Sequence, residues 1–176
     1  LSSAASDVYK RQIQKGRDFL QKGIKANPGS WYLYSLLGNM YSDTYRQPDF
    51  EKAAEVYRKA RELGAPALTA RKEFYALARV PSKSREALKL GKELFKDPRN
   101  RVPSLVTNIF VLENRLHVPE KDRIPFRELY PTDEIARDMM TAHLANSLRY
   151  PVDGLRETLE SLPEANPDDP APDGKD

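Results

Sequence analysis

Residues 34–66, YSLLGNMYSDTYRQPDFEKAAEVYRKARELGAP, contain the pattern that decides the fold of this chain. In the first half of this stretch, Leu37 stands directly before Gly38, within a run of large side chains at helical spacing. In the second half, small residues recur at Ala53 and Ala60. Two helices approach closely only where one of them presents small side chains. The stretch therefore predicts a helical hairpin with Gly38 and Ala53 at the crossing.

Residues that cap helices mark the ends of this hairpin. Asp49 can accept a hydrogen bond from the first turn of the second helix, and Glu51 in that turn favours the helix dipole. Gly64 followed by Pro66 predicts a left-handed stop and then a break. Ser84 predicts the start of a later helix in the same way.

The spacing of small and large residues recurs in helix-like segments that end near Pro28, Pro66 and Pro98. The three sets are Gly16, Leu20 and Gly23; Ala53, Tyr57 and Ala60; and Ala87, Gly91 and Leu94. The second and third sets are offset by 34 residues at each position (53 to 87, 57 to 91, 60 to 94). The first and second sets are offset by 37 residues (16 to 53), with 44–48 available as an extra loop.

The segments between these sets carry a second pattern. Its residues are Tyr34, Leu37, Gly38 and Tyr41, which match W-x2-L-G-x2-Y with Tyr in place of Trp, and Phe74, Leu77 and Ala78, which match it more loosely. With the 34-residue period, this pattern makes the chain similar to the tetratricopeptide-repeat family, in a degenerate bacterial form. The resemblance covers a half repeat (13–28), a repeat (31–66) and a degenerate repeat (67–98), in which Pro81 and Gly91 depart from the family pattern.

The resemblance implies an all-α fold, namely a short α-solenoid of antiparallel helical hairpins. After Pro98 the repeat fades, but Leu105, Ile109, Leu112 and Leu116 keep helical spacing, and prolines then predict loops over 118–125. A further amphipathic helix is predicted over 133–149, with Thr132 as its cap and one apolar face formed by Ile135, Met139, His143 or Leu144, and Leu148. A short helix is predicted over 155–162. We expect 99–162 to form a C-terminal helical cap, and 163–176 to be a disordered acidic tail.

The first twelve residues, LSSAASDVYKRQ, show no periodicity that continues into the following segment. Residues 7–12 are similar to the translation of a transposon end used to prepare DNA for sequencing. We therefore interpret residues 1–12 as an artefactual leader and leave them out of the fold prediction. The alternative is a genuine Ser- and Ala-rich start of a helix. On the first interpretation, authentic sequence begins near Ile13 and an N-terminal part of the protein is missing.

The composition limits the chemistry that we expect. The chain has no cysteine, and its two histidines, His117 and His143, have no metal-ligand spacing. Glycine-rich phosphate loops and nucleophile motifs do not occur in the sequence, so we expect neither enzyme activity nor a cofactor. A formal charge of +3, with basic and acidic residues interleaved, does not favour nucleic acid. Its longest apolar stretches are shorter than the roughly 20 residues that span a bilayer.

In the tetratricopeptide-repeat family, ligands lie on the concave face formed by the first helix of each hairpin. The matching positions here are Tyr32, Ser35, Asn39 and Ser42 in the middle repeat, and Lys72, Tyr75 and Arg79 in the next. Asn39 and Lys72 are similar to the family's clamp for a peptide carboxylate, whereas Ser35 and Ala76 replace donors of that clamp.

We therefore expect a non-catalytic protein-interaction scaffold that holds a peptide or protein segment. The C-terminal carboxylate of a peptide is the hypothetical ligand. Two alternatives remain, an accessory region of a larger enzyme and a part of a membrane-anchored envelope protein, each with its N-terminal portion missing. An RNA-binding helical array is disfavoured because it would need a 35-residue period and a continuous basic groove.

Overall fold

The computed structural model describes residues 3–43 and 48–163. These residues form nine α-helices joined by turns and three short 3-10 helices, and they contain no β-strand. The helices are α1 (Ser3–Ala26), α2 (Trp31–Ser42), α3 (Phe50–Glu62), α4 (Ala67–Ala78), α5 (Ser84–Phe95), α6 (Pro103–Arg115), α7 (Phe126–Leu129), α8 (Asp133–Ala145) and α9 (Leu155–Ser161). The described part of the chain is thus all-α, as the sequence predicted.

Helices α1 to α6 pack in chain order, each against the next, and α4 also contacts α6. Short connections produce this order, because a turn of a few residues brings each helix back alongside the one before it. Beyond α6, helix α8 packs on α6 and α9 packs on α8. One hydrophobic core runs through the whole arrangement, from Leu20 in α1 to Leu155 in α9.

Glycines allow the closest helix contacts. A Cβ atom on Gly38 of α2 would lie closer than 3.0 Å to three atoms of the Tyr57 ring of α3. A Cβ atom on Gly91 of α5 would lie 2.6 Å from the Phe74 ring of α4. Each aromatic ring therefore fills the space that the glycine leaves, and a larger residue at either position would overlap the ring.

Most of the predicted packing residues are buried. They are Leu20, Leu37, Gly38, Tyr41, Ala53, Tyr57, Ala60, Phe74, Leu77, Ala78, Ala87 and Gly91. The remaining four, Gly16, Gly23, Tyr34 and Leu94, are half-buried. Leu33 and Leu36, which flank Tyr34, pack against the core from the same helix.

The predicted helix ends are confirmed, although Ser84 begins α5 without capping it. The side chain of Asp49 accepts a hydrogen bond from the backbone N–H of residue 52 at 3.0 Å, and that of Thr132 accepts one from residue 135 at 3.2 Å. Gly64 has the left-handed φ of 88° that a helix stop needs. Ser84 is not a cap, because its hydroxyl donates to the carbonyl of Pro81 at 2.9 Å, across the 3-10 turn that precedes α5.

The predicted face of α8 is confirmed in its middle and wrong at its two ends. His143 is buried, and Met139 and Leu144 pack against the core. Ile135 is exposed and Leu148 lies beyond the helix end, whereas Ala136 and Met140 are fully buried. One position rotates a side chain by about 100° around the helix axis, so the buried face is centred closer to Ala136 than to Ile135. Helix α8 ends at Ala145 rather than at residue 149, because the chain turns there.

The structure also bears on the predictions for the N-terminal segment and for the loops. Helix α1 starts at Ser3 and continues through Ile13 without a break, so the segment interpreted as an artefactual leader is helical from Ser3 onward. The predicted loop at 118–125 is present and contains a 3-10 turn at Glu120–Asp122. Most of the predicted extra loop (44–47) and most of the acidic tail (164–176) lie outside the described residues.

Two buried glutamates hold neighbouring helices together. Glu73 of α4, only 2% exposed, contacts the Nε atoms of Arg58 at 3.3 Å and Arg61 at 2.6 Å, both on α3. Glu113 of α6 contacts Nζ of Lys92 on α5 at 2.7 Å and accepts a hydrogen bond from a backbone N–H at 3.0 Å. A buried carboxylate needs such partners to remain charged, so both glutamates have a structural explanation.

We predict that Gly38→Ala destabilises the fold by about 1–3 kcal/mol, because the added methyl group overlaps the Tyr57 ring. Gly23→Ala is the matched control, since its Cβ would make an ordinary 3.4 Å contact with Leu33. We expect the control to gain up to about 1 kcal/mol from its better helix propensity. Urea unfolding followed by circular dichroism measures both values, and equal stabilities of the two variants would contradict the close contact.

Candidate functional site

A groove of about 930 Å³ opens between α2, α3, α4 and the segment that follows α8. Its lining residues are Asn39, Ser42, Asp43, Pro48, Phe50, Tyr57, Lys72, Tyr75, Ala76, Arg79, Leu148, Arg149 and Tyr150. Five of the seven residues that the sequence predicted for peptide binding are in this set. The structure therefore brings Asn39, Ser42, Lys72, Tyr75 and Arg79 to one surface.

The other two predicted residues do not line the groove. Tyr32 is 56% exposed and stacks edge-on against the neighbouring Trp31 ring at 5.8 Å. Ser35 is buried on α2. Neither side chain is among those that a ligand in the groove would meet.

Asn39 is the centre of a hydrogen-bond network at the bottom of the groove. Its Oδ1 atom accepts from Nζ of Lys72 at 2.9 Å and from the hydroxyl of Tyr57 at 2.8 Å. The Ser42 hydroxyl lies 3.1 Å from that of Tyr57. These contacts join α2, α3 and α4, and they orient the Asn39 amide so that its oxygen accepts hydrogen bonds from Tyr57 and Lys72. The NH2 group of Asn39, which has no partner among the described residues, remains as a donor for a ligand.

Arg79 packs against two aromatic rings. The centre of its guanidinium is 4.6 Å from the centroid of the Phe50 ring and 4.1 Å from that of Tyr150. Its Nε atom is buried and has no hydrogen-bond partner among the described residues. Burial lowers the pKa of the Arg79 guanidinium, but an arginine in a protein stays protonated. Arg79 is therefore a desolvated cation with unused donor capacity.

The groove carries more positive than negative charge. Lys72, Arg79 and Arg149 line it together with one carboxylate, Asp43, which gives a net formal charge of 3 − 1 = +2. Within residues 3–43 and 48–163, none of these three cations has a carboxylate oxygen within 4.0 Å. An anionic group is the natural complement of such a surface.

The tyrosine hydroxyls of the groove are neutral hydrogen-bonding groups. Burial raises the pKa of Tyr57, and burial also raises that of Tyr75. The Tyr75 hydroxyl lies 2.7 Å from the hydroxyl of Ser104 on α6. Both phenols therefore remain protonated near neutral pH and serve as positioning groups in the groove wall.

The third wall of the groove differs from the prediction. Helical spacing predicts Leu148 and Arg149 within a helix, whereas the chain leaves α8 at Ala145 and directs residues 148–150 toward α4. The sequence does indicate that the helix cannot continue through this segment, because Tyr150 precedes Pro151 and the helical conformation is disfavoured for a residue before proline. Nε2 of His143 lies 2.9 Å from the carbonyl oxygen of Pro151 and fixes this turn.

No protein-family model, curated protein or solved structure matches this chain. In the part of the chain that the structure describes, no helix is long and apolar enough to cross a bilayer. The same residues contain no cluster of three or more His, Asp or Glu side chains that could hold a metal ion. The geometry and charge of the groove are therefore the basis for a functional proposal.

We predict that acid weakens the turn after α8. Burial lowers the pKa of His143 below its ordinary value of 6.5. The unfolded chain therefore binds this proton more readily than the folded chain, and the free energy of unfolding decreases as the pH falls below about 6.5. Above that pH, the titration of His143 does not contribute to the change of the free energy of unfolding with pH.

His143→Gln tests this prediction, because glutamine keeps a donor for the Pro151 carbonyl but does not titrate. The free energy of unfolding of both proteins is measured from pH 7.5 to pH 5.5, a range of about one unit on either side of the ordinary histidine value. We expect a shallower pH dependence for the variant. Identical slopes would show that His143 titrates normally.

Proposed function

We propose that this chain is a tetratricopeptide-type interaction module that binds an acidic segment of a partner protein in the groove. The observation that carries the proposal is that Lys72 and Arg79 lie in one groove with the amide of Asn39, and neither cation has a carboxylate partner among the described residues. A bound carboxylate would supply the missing negative charge.

Several features of the helices support the repeat assignment. Consecutive packing of α1 to α6 is what stacked helical hairpins require, with α2 and α3 as the middle repeat and α4 and α5 as the degenerate one. Helix α1 takes the place of the half repeat. The small residues that define the 34-residue period lie at helix contacts, and Ala53, Ala60 and Ala87 are fully buried.

The groove offers two kinds of donor to a carboxylate. These donors are the ammonium group of Lys72 and the NH2 group of Asn39, and the Lys72 Nζ atom lies 2.9 Å from Oδ1 of the same Asn39 amide. Hydrogen bonds to charged groups contribute about 1.5–3 kcal/mol each. Ser35 and Ala76 are buried and cannot supply the other donors of the family clamp. Arg79, one helical turn beyond Tyr75, and Arg149 are the remaining strong donors of the groove.

The pairing of charges distinguishes this groove from the contacts between α3 and α4 and between α5 and α6. Arg58 and Arg61 on α3 pair with Glu73, and Lys92 pairs with Glu113. Those cations are already neutralised within the fold. The unpaired cations of the groove would attract an acidic ligand from solution and speed its association at low ionic strength.

We predict that Asn39→Ala and Lys72→Ala each weaken the binding of an acidic C-terminal peptide by about tenfold or more, since each removes a charge-assisted hydrogen bond. The probe is a fluorescein-labelled Ala-Glu repeat peptide with a free C-terminal carboxylate, and fluorescence anisotropy gives its affinity. Lys59→Ala is the matched control, because Lys59 is exposed on α3 and does not line the groove.

The control is expected to bind within about twofold of the unmodified chain, with a small loss from the reduced net charge. Unchanged affinity in both groove variants would reject the groove as the binding site. The same peptide with an amidated C-terminus distinguishes binding through the terminal carboxylate from binding through the glutamate side chains. Loss of binding on amidation assigns the site to the peptide terminus, and retained binding assigns it to acidic side chains.

A further inference from the structure

The environment of Arg79 differs from that of the other groove cations. The centre of its guanidinium lies over two aromatic rings, Phe50 from the first turn of α3 and Tyr150 from the turn after α8. Arg149, in contrast, belongs to an exposed stretch of that turn. Two residues that are far apart in the sequence thus pack against one guanidinium.

Packing against two rings bears on how Arg79 could bind a ligand. The contacts with both rings restrict the movement of the guanidinium. The Nε atom is buried, so a ligand would meet the terminal N–H groups. These groups match the two oxygens of a carboxylate, which can accept two parallel hydrogen bonds.

Tyr150 is itself held firmly in place. Its backbone N–H donates to the carbonyl oxygen of Asn146 at 3.2 Å, and its ring meets the edge of the Tyr75 ring with the centroids 6.5 Å apart. The ring of His143 lies 5.4 Å from it on another side. Tyr150 is therefore positioned by contacts within the protein, and together with Leu148 and Arg149 it lies outside the helices α2, α3 and α4 that border the rest of the groove.

We propose that Arg79 is the residue by which the groove selects a carboxylate, through two in-plane hydrogen bonds, and that Tyr150 is the positioning residue that holds its plane. This inference rests on the proposed function, because it assumes that the acidic segment binds in this groove. On this proposal, the groove selects a carboxylate by the planar arrangement of the Arg79 N–H groups as well as by positive charge.

Arg79→Lys tests the planar donor, since lysine keeps the charge but has neither the fork nor the stacked plane. We expect Arg79→Lys to weaken binding of the labelled Ala-Glu peptide by about tenfold, nearly as much as Arg79→Ala. A lysine variant that binds like the unmodified chain would show that charge alone is recognised and would overturn the inference.

Tyr150→Phe and Tyr150→Leu form a matched pair for the positioning role. Phenylalanine keeps the ring over Arg79, so we expect affinity within about twofold of the unmodified chain. Leucine keeps apolar bulk without a ring, and we expect a loss of about fivefold. Thermal unfolding of each variant identifies any loss of fold. If Tyr150→Leu is unfolded, Phe50→Leu gives the same test for the other ring.

The ¹H–¹⁵N signal of the Arg79 Nε–H group provides a readout that stability alone does not change. We expect this signal to shift when the Ala-Glu peptide is added to the unmodified chain and to Tyr150→Phe. Peptide binding without a shift would overturn the role of Arg79 and leave the proposed function intact. Failure of the peptide to bind the unmodified chain would instead reject the proposed function.

Discussion

The contact between Gly38 and the ring of Tyr57 is the constraint on which the rest of the structure depends. Because residue 38 has no side chain, the ring lies directly against α2, and its hydroxyl reaches the neighbouring Asn39. The same tyrosine therefore sets the distance between two helices and orients the amide that lines the groove. Packing and recognition are coupled at this point, since a wider helix spacing would also separate Tyr57 from Asn39.

The distribution of charge partners explains why one part of the surface differs from the others. On the side of α3 and α4 that contains Glu73, arginines and a buried glutamate neutralise one another and hold the helices together. On the groove side, Lys72 bonds to a neutral amide and Arg79 stacks on aromatic rings. The fold thus uses its buried carboxylates for structure and leaves these cations to be neutralised by solvent ions or by a ligand.

The sequence was sufficient to predict the parts of the fold that depend on local spacing and on caps. Ala53, Tyr57 and Ala60 are buried because they share one face of a helix, and Asp49 caps that helix because its side chain needs only the next turn. Five groove residues could also be predicted, because the resemblance to the repeat family assigns positions on α2 and α4 to a ligand face, although Tyr32 and Ser35, assigned in the same way, do not line the groove. Leu148 could not, because its place depends on where α8 stops and how the chain then returns to α4.

The wall that Tyr150 contributes has a consequence for defining the smallest working unit of this protein. A piece that ends after α5, residues 31–98, would contain Lys72, Asn39 and Phe50 but would lack the ring of Tyr150 that packs against Arg79. The end of the segment that contains α2 to α5 and the end of the groove lining therefore do not coincide. Grafting this groove onto another scaffold would require residues through Pro151, because the turn after α8 forms one of its walls.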